Sequence, residues 1–353
     1  MSDESYAHTF DQPTVVTQRE VAEALGLSQS TVSLALKNAP RLTPECRARV
    51  QKVAREMGYS ANSAAVNLSH FKRVSLPKPI RAALAFFNLW DQPGKLIEHK
   101  EFARYLTGAR EYAEKFGYRL EEFHFTPTKA PQIQRILQTR GIDGVLLSPS
   151  NYLTDLSSFD VGSFTLTQIG RSILTPATHV VTSDQIANGI LGFHSIRERG
   201  YKRVGWVTRR DQKAYRKHVH EAGVLLAQLD IPQNEVVPIL TMDLTRPETQ
   251  CDSLSRWIKC EKPDAIFSDT STIVNLVRTA GYRVPEDIGV AATSILDTDA
   301  DSGIDQRSED VGRAAALTLL SQIHENLRGV PPFARQLTVP GTWVEGTTLP
   351  RRI

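Results

Sequence analysis

Two hydrophobic periods alternate along this chain. Between residues 17 and 57 apolar side chains return every three or four positions in three short runs, the spacing of amphipathic helices. The first run starts at Thr17 with Glu20 three residues on, a capping box, and turns Val21, Ala24 and Leu25 to one side. Gly26 stops it. Ser28 caps a second run that sends Val32, Ala35 and Leu36 inward and Gln29, Ser30, Thr31 and Ser33 outward. A third opens at Thr43-Pro44, a cap followed by proline at the first helical position, and carries Cys46, Val50, Val53 and Met57 on one stripe as far as Gly58. From residue 80 onward the pattern changes to short apolar runs at 81–87, 119–125, 144–148, 164–169, 203–207, 264–268 and 289–293, read as strands. Helical stripes lie between them, among them Phe102, Leu106, Ala109, Ala113, Phe116 and Val311, Ala315, Leu319, Ile323, Leu327. Such alternation predicts an α/β domain with mostly parallel sheets.

The N-terminal trio has the spacing of a helix-turn-helix. Ala22, Gly26 and Val32 fall where two helices cross closely, turn, and bury an apolar contact. Short polar groups on the outer face of the second helix can reach base edges or phosphates. Charge points the same way: residues 13–73 hold nine lysines and arginines against four glutamates, a net +5, while the whole chain is only +3. A basic end on a near-neutral remainder fits phosphate contact at one place.

Val16-Thr17, Glu20-Val21-Ala22, Gly26, Ser28, Ser30-Thr31-Val32-Ser33, Arg47, Val50, Gly58-Tyr59 and Asn62 together resemble the headpiece of the LacI/GalR (lactose-repressor) family. The resemblance implies a transcriptional regulator, in most cases a repressor, that binds double-stranded operator DNA as a homodimer. It implies a DNA-facing set of Thr17, Gln18, Ser28, Gln29, Ser30, Thr31, Ser33, Leu34, Arg41, Arg47, Tyr59, Asn62 and Leu68. In that family the stretch after the third helix forms a hinge helix on DNA, and a leucine from each subunit wedges into the minor groove. Leu68 occupies that place; the other reading is that it packs against the sensor. Two positions depart from the pattern. Leu34 stands where a basic residue often grips guanine, so it either touches a thymine methyl or leaves the base unread. Ala61 replaces the hinge proline, which loosens the start of the hinge.

The expected organisation is a headpiece over 13–60, a hinge helix and proline-rich linker over 61–79, and a large domain over 80–353. About 270 residues suit two α/β lobes. Gly117-Tyr118, Gly200-Tyr201 and Gly281-Tyr282 each close a helix before the next strand. The organisation looks like the type I periplasmic-binding-protein fold that this family uses as its sensor, with an effector between lobes linked by three crossings. The crossings are expected to leave lobe 1 with about 80–202 and 297–327, and lobe 2 with about 203–296 and 328–345. Gly303-Ile-Asp-Gln-Arg307, Arg328-Gly-Val-Pro331 and Trp343-Val-Glu-Gly346 resemble a subgroup with divergent sensors. The effector candidates are Asp184, Arg216, His220, Ser268, Ser294 and Trp90. Asp184 reads equally as a helix cap, and Trp90 either stacks on a ligand ring or lies in the core. Ser268 and Ser294 stand where sugar-sensing members carry an asparagine and an aspartate, and Val219 where many carry an arginine. Losing several hydroxyl-gripping groups puts an ordinary sugar in question, since an unpaired buried hydroxyl costs on the order of 1–3 kcal/mol.

Catalysis finds little footing. Cys46, Cys251 and Cys260 lack metal-ligand spacing, His218 and His220 point to different helix faces, and there is no nucleophile elbow, phosphate loop or dinucleotide fingerprint. No metal, cofactor or catalytic residue is expected. The acidic, polar N-terminus and the lack of an apolar run of membrane length lead to the expectation of a cytoplasmic protein without membrane contact. The fold expected is an all-α helix-turn-helix headpiece joined to an α/β two-lobed sensor, and the effector a sugar or related metabolite. The alternative is a regulator whose sensor has lost its effector or acts on a small metabolite.

Overall fold

The computed structural model describes residues 16, 18–36, 39, 42–57, 82–150, 154–210, 219–243 and 247–352. They belong to two units, Met1–Lys78 and Pro79–Ile353.

The smaller unit holds α1 (Gln18–Leu25), α2 (Gln29–Leu36) and α3 (Pro44–Glu56). Gly26, at φ 68°, ends α1 in a left-handed turn in which its N–H donates to the Glu23 carbonyl and the Leu27 N–H to that of Ala22. Ser28 then caps α2 by accepting from Thr31 N at 3.1 Å, and Thr43 caps α3 by accepting from Cys46 N at 3.3 Å. The core is Val21, Ala22, Leu25, Val32, Ala35, Val50 and Ala54, with Cys46, Val53 and Met57 against its edge. Ala24, expected on the inner face, is exposed. The stripe closes on Val21, Ala22 and Leu25, and Ala24 lies one position off it.

The larger unit runs β1 (Ala82–Asn88), α4 (Gly94–Glu98), α5 (Lys100–Lys115), β2 (Tyr118–His124), α6 (Ala130–Arg140), β3 (Gly144–Leu147), β4 (Thr154–Asp155), β5 (Thr165–Ile169), β6 (Ile173–Thr175), β7 (His179–Ser183) and α7 (Gln185–Glu198). It continues through β8 (Val204–Arg210), α8 (Val219–Gln228), β9 (Leu240–Asp243), α9 (Pro247–Glu261), β10 (Ala265–Ser268), α10 (Ile273–Thr279), β11 (Gly289–Ala292), β12 (Gly303–Asp305), α11 (Ser308–His324), β13 (Gln336–Val339) and β14 (Thr342–Val344). Two six-stranded sheets result: β13-β7-β5-β3-β1-β2 in lobe 1, all parallel, and β14-β12-β11-β10-β8-β9 in lobe 2, with only β14 antiparallel. β4 and β6 form a separate two-stranded ribbon. Strands buried on both faces explain the unbroken apolar runs. Along β1, Leu84 and Phe86 enter one core while Ala85 and Phe87 enter the other. In lobe 2, Val207, Ile266 and Val290 face one side and Trp206, Phe267 and Ala291 the other.

The lobe boundaries differ from those expected. The chain leaves the first sheet between β7 and α7 near residue 184, returns between β12 and α11 near 306, and leaves again between β13 and β14 near 340, in place of 202, 297 and 328. The reason is packing. α7 buries Phe193 and Ile196 with Trp206, Val224 and Phe267 of lobe 2, and a helical stripe does not say which sheet it will cover. β12 and β14 are three residues each, too short to show a period. Leu327 falls beyond α11 and is exposed.

Candidate functional site

On the smaller unit, α2 carries no charged residue. Gln29 and Ser30 are exposed, and Thr31, Ser33 and Leu34 half-buried. The Ser28 hydroxyl is a hub, 2.8 Å from both Ser30 Oγ and Thr31 Oγ1, so two of the short polar groups are held in place by the cap. Gln29 is the one long side chain on this first turn, and Leu34 presents an apolar edge one turn further on. α3 packs alongside through its middle, where Gln51 Nε2 donates to the Ala35 carbonyl at 3.1 Å, and Arg47 stands half-buried on its first turn. Gln18 opens α1. Thr17, Arg41, Tyr59, Asn62 and Leu68 lie outside the described residues, as does Arg216 of the effector set.

In the larger unit a cavity of about 400 Å³ opens between the lobes, lined by Glu98, His99 and Lys100 on one side and Ser271, Leu296, Asp297 and Thr298 on the other. These segments follow the carboxyl ends of β1, β10 and β11, the edge at which open α/β sheets bind ligands. The lining is polar and of mixed charge, suited to a small hydrogen-bonding molecule. Ser294 is half-buried at the same edge, its Oγ accepting from Leu296 N at 3.3 Å. Ser268 is sealed inside lobe 2, donating to the Val207 carbonyl at 2.6 Å and accepting from Thr270 N. Asp184 caps α7, one oxygen accepting from Ala187 N and the other from Thr338 Oγ1, both at 3.1 Å. Trp90 is core: 4% exposed, its indole N–H donates to the Pro149 carbonyl, and His99 and Phe102 pack on its ring.

His220 lies near the first crossing. Its Nε2 is buried with no hydrogen-bond partner among the described residues, and burial, with the Arg171 charge nearby, pushes its pKa down to about 4. Arg171 follows β5 and donates to Gln185 Oε1 at 2.9 Å. A guanidinium and a neutral imidazole thus meet where lobe 1 hands over to lobe 2. Sequence reasoning missed Arg171, although Gly170-Arg171 at the carboxyl end of an apolar strand is a readable signal. It also missed Glu101, which burial and the neighbouring Asp297 and Asp305 raise to a pKa of about 7. No sequence signal marks that residue, because both carboxylates come from near residue 300.

Residues 17–62 match the family model for bacterial regulatory proteins of the lacI family, and residues 191–349 that for a periplasmic binding protein-like domain. The chain is 23% identical over 287 residues to the transcriptional repressor PurR of Mannheimia succiniciproducens, covering 78% of this chain and 81% of that one. Among solved structures, the regulator CelR in complex with cellobiose superposes with a TM-score of 0.53 at 17% identity, over 94% of this chain and 99% of that one. The lac repressor dimer bound to operator and the anti-inducer ONPF gives 0.53 at 15% identity, over 95% and 99%. At such identities the structural likeness speaks for the fold.

Proposed function

Because the chain belongs to the LacI family of bacterial regulatory proteins, it is a DNA-binding transcriptional regulator, and we propose that it represses by binding a two-fold symmetric operator as a homodimer and changes affinity when a small polar molecule enters the sensor cleft. The observation that carries the reading is the outer face of α2, uncharged and polar, with its hydroxyls set by the Ser28 cap and Val32 and Ala35 locked behind it. One such face makes too few contacts for a specific affinity of about 10⁻⁸–10⁻¹¹ M, and a symmetric pair supplies two half-sites. Leu68 serves as the wedge that kinks the operator, and Arg47 as a phosphate contact. The effector is a sugar or related polar metabolite, bound and released unchanged, as the CelR complex holds cellobiose. Arg171, His220 and Ser294 are its foremost contacts. Asp184 and Ser268, whose polar atoms are already engaged, play supporting roles. A ligand that favours the lobe arrangement unfit for DNA binds more weakly when DNA is present.

The face of α2 makes a specific prediction about bases. Gln29 can hold adenine with two hydrogen bonds and Leu34 can cover a thymine methyl, so the positions under α2 are expected to be A·T pairs. Selection from a random DNA library with Leu34→Arg is expected to bring guanine to one of those positions, at about 1–3 kcal/mol of discrimination, and Gln29→Ala to relax another. Unchanged motifs in both variants would remove α2 from base reading.

A further inference from the structure

We propose that Asp297 is an interlobe latch: a carboxylate of lobe 2 that holds the sensor closed by capping the first turn of α5 in lobe 1. The loop that carries it joins β11 to β12, both in the lobe 2 sheet. Its Oδ1 accepts from Lys100 N at 2.9 Å and its Oδ2 from Glu101 N at 3.1 Å. α5 is 16 residues long and its own flanking residue, His99, supplies no side-chain cap. The partner for those N–H groups comes from the other lobe, and a carboxylate there also meets the positive end of the helix.

The same loop holds two further aspartates at every second position, and both turn back into lobe 2. Asp299 caps α10, accepting from Val274 N at 3.0 Å and Asn275 N at 2.8 Å. Asp301 accepts from Thr347 N, Thr347 Oγ1 and Thr348 N. Anchored twice to its own lobe, the loop is a fixed arm, and Asp297 is the one carboxylate of the three that reaches across.

Glu101 sits behind the latch. Its Oε1 is buried without a hydrogen-bond partner among the described residues, and its carboxyl faces Asp297, Asp305, the Tyr105 phenol and the Ser294 hydroxyl, while His99 and Lys100 line the cavity beside Asp297. Closure holds that carboxyl protonated up to about pH 7, against an ordinary 4.5. An acid raised in the closed state favours closure at low pH, and that advantage drains away as pH climbs from 4.5 to about 7 and is constant above. Between about pH 4.5 and 7 closure is therefore favoured most at the acidic end and least at the neutral end.

The test uses the full chain, with small-angle scattering for the radius of gyration and amide hydrogen exchange at Lys100 and Glu101. Asp297→Ala is expected to enlarge the radius and speed exchange at both amides by about fivefold to tenfold, with Asp297→Asn between it and the wild type. Asp299→Ala removes the same chemistry from the same loop inside one lobe, while Asp301 and the Asp299 N–H bond to the Ser271 carbonyl still hold the loop. It is expected to lower the melting temperature and to change radius and both amides far less than Asp297→Ala does. Unchanged values in Asp297→Ala, or equal opening in Asp299→Ala, would overturn the latch. From roughly pH 5 to 7.5 the wild type is expected to open progressively and Glu101→Gln to stay closed; parallel profiles would remove Glu101 from the device. DNA binding enters none of these readouts, so their failure leaves the regulator reading intact.

Discussion

Replacing Gly312 with valine is expected to cost the sensor at least about 3 kcal/mol and to lower its melting midpoint by on the order of 5–10 °C, read by differential scanning calorimetry. α5 and α11 cross with their backbones in close approach at Gly108 and Gly312. A Cβ on Gly312 would lie 2.0 Å from the Tyr105 carbonyl oxygen, and one on Gly108 2.0 Å from that of Glu309. Backbone cannot swing aside as a side-chain tip can, so the helices must separate. Separation strips contacts from Ala109, Val311 and Ala315, all fully buried. Gly94→Ala is the matched control: nothing lies within 4 Å of its added Cβ and its backbone is ordinary, so it is expected to change stability by less than about 0.5 kcal/mol. Equal melting of the two variants would contradict the crossing.

The second large effect belongs to the headpiece. Val32→Asp is expected to abolish specific DNA binding, a loss of at least about a hundredfold by fluorescence anisotropy, while the main sensor transition stays within experimental error. Val32 is completely buried in a core to which seven of the described residues belong. An unpaired carboxylate there costs several kcal/mol, comparable with the whole stability of so small a unit. The sensor has its own cores and forms a separate compact unit, so its melting is not expected to follow. A variant that kept its affinity would show that α2 does not need this packing to present Gln29 and Leu34.

What could be read from the sequence followed the length of each signal. Over its described residues the headpiece was legible nearly residue by residue, because the Ser28 and Thr43 caps, Gly26 and the apolar stripes act within four positions of one another; Ala24 was the miss. Seven strands of the larger unit were visible as apolar runs, and Gly117, Gly200 and Gly281 do take the left-handed conformation that closes a helix. The strands β12, β13 and β14 were not visible, being three or four residues long, and β13 and β14 lie at sheet edges with exposed positions. Missing them displaced the second and third crossings, and the first moved because α7 packs on lobe 2. The effector set suffered for a related reason. Position relative to a strand end located Asp184, Ser268 and Ser294 correctly in the fold, but only packing decides whether a polar atom faces the cleft. Asp184 and Ser268 spend theirs on the helix cap and the sheet, and Trp90 serves the core. Glu101 and Asp297 meet across 196 positions, a pairing no local pattern can announce.

The most direct test of the regulator reading is selection of binding sites from a random DNA library by the full-length protein at physiological salt, followed by sequencing. One enriched motif is expected, with two-fold symmetry, A·T pairs under each α2, and a deformable pyrimidine–purine step at its centre. Enrichment of an asymmetric single site would contradict the dimer, and no enrichment, with or without added metabolite extract, would contradict sequence-specific recognition by this headpiece.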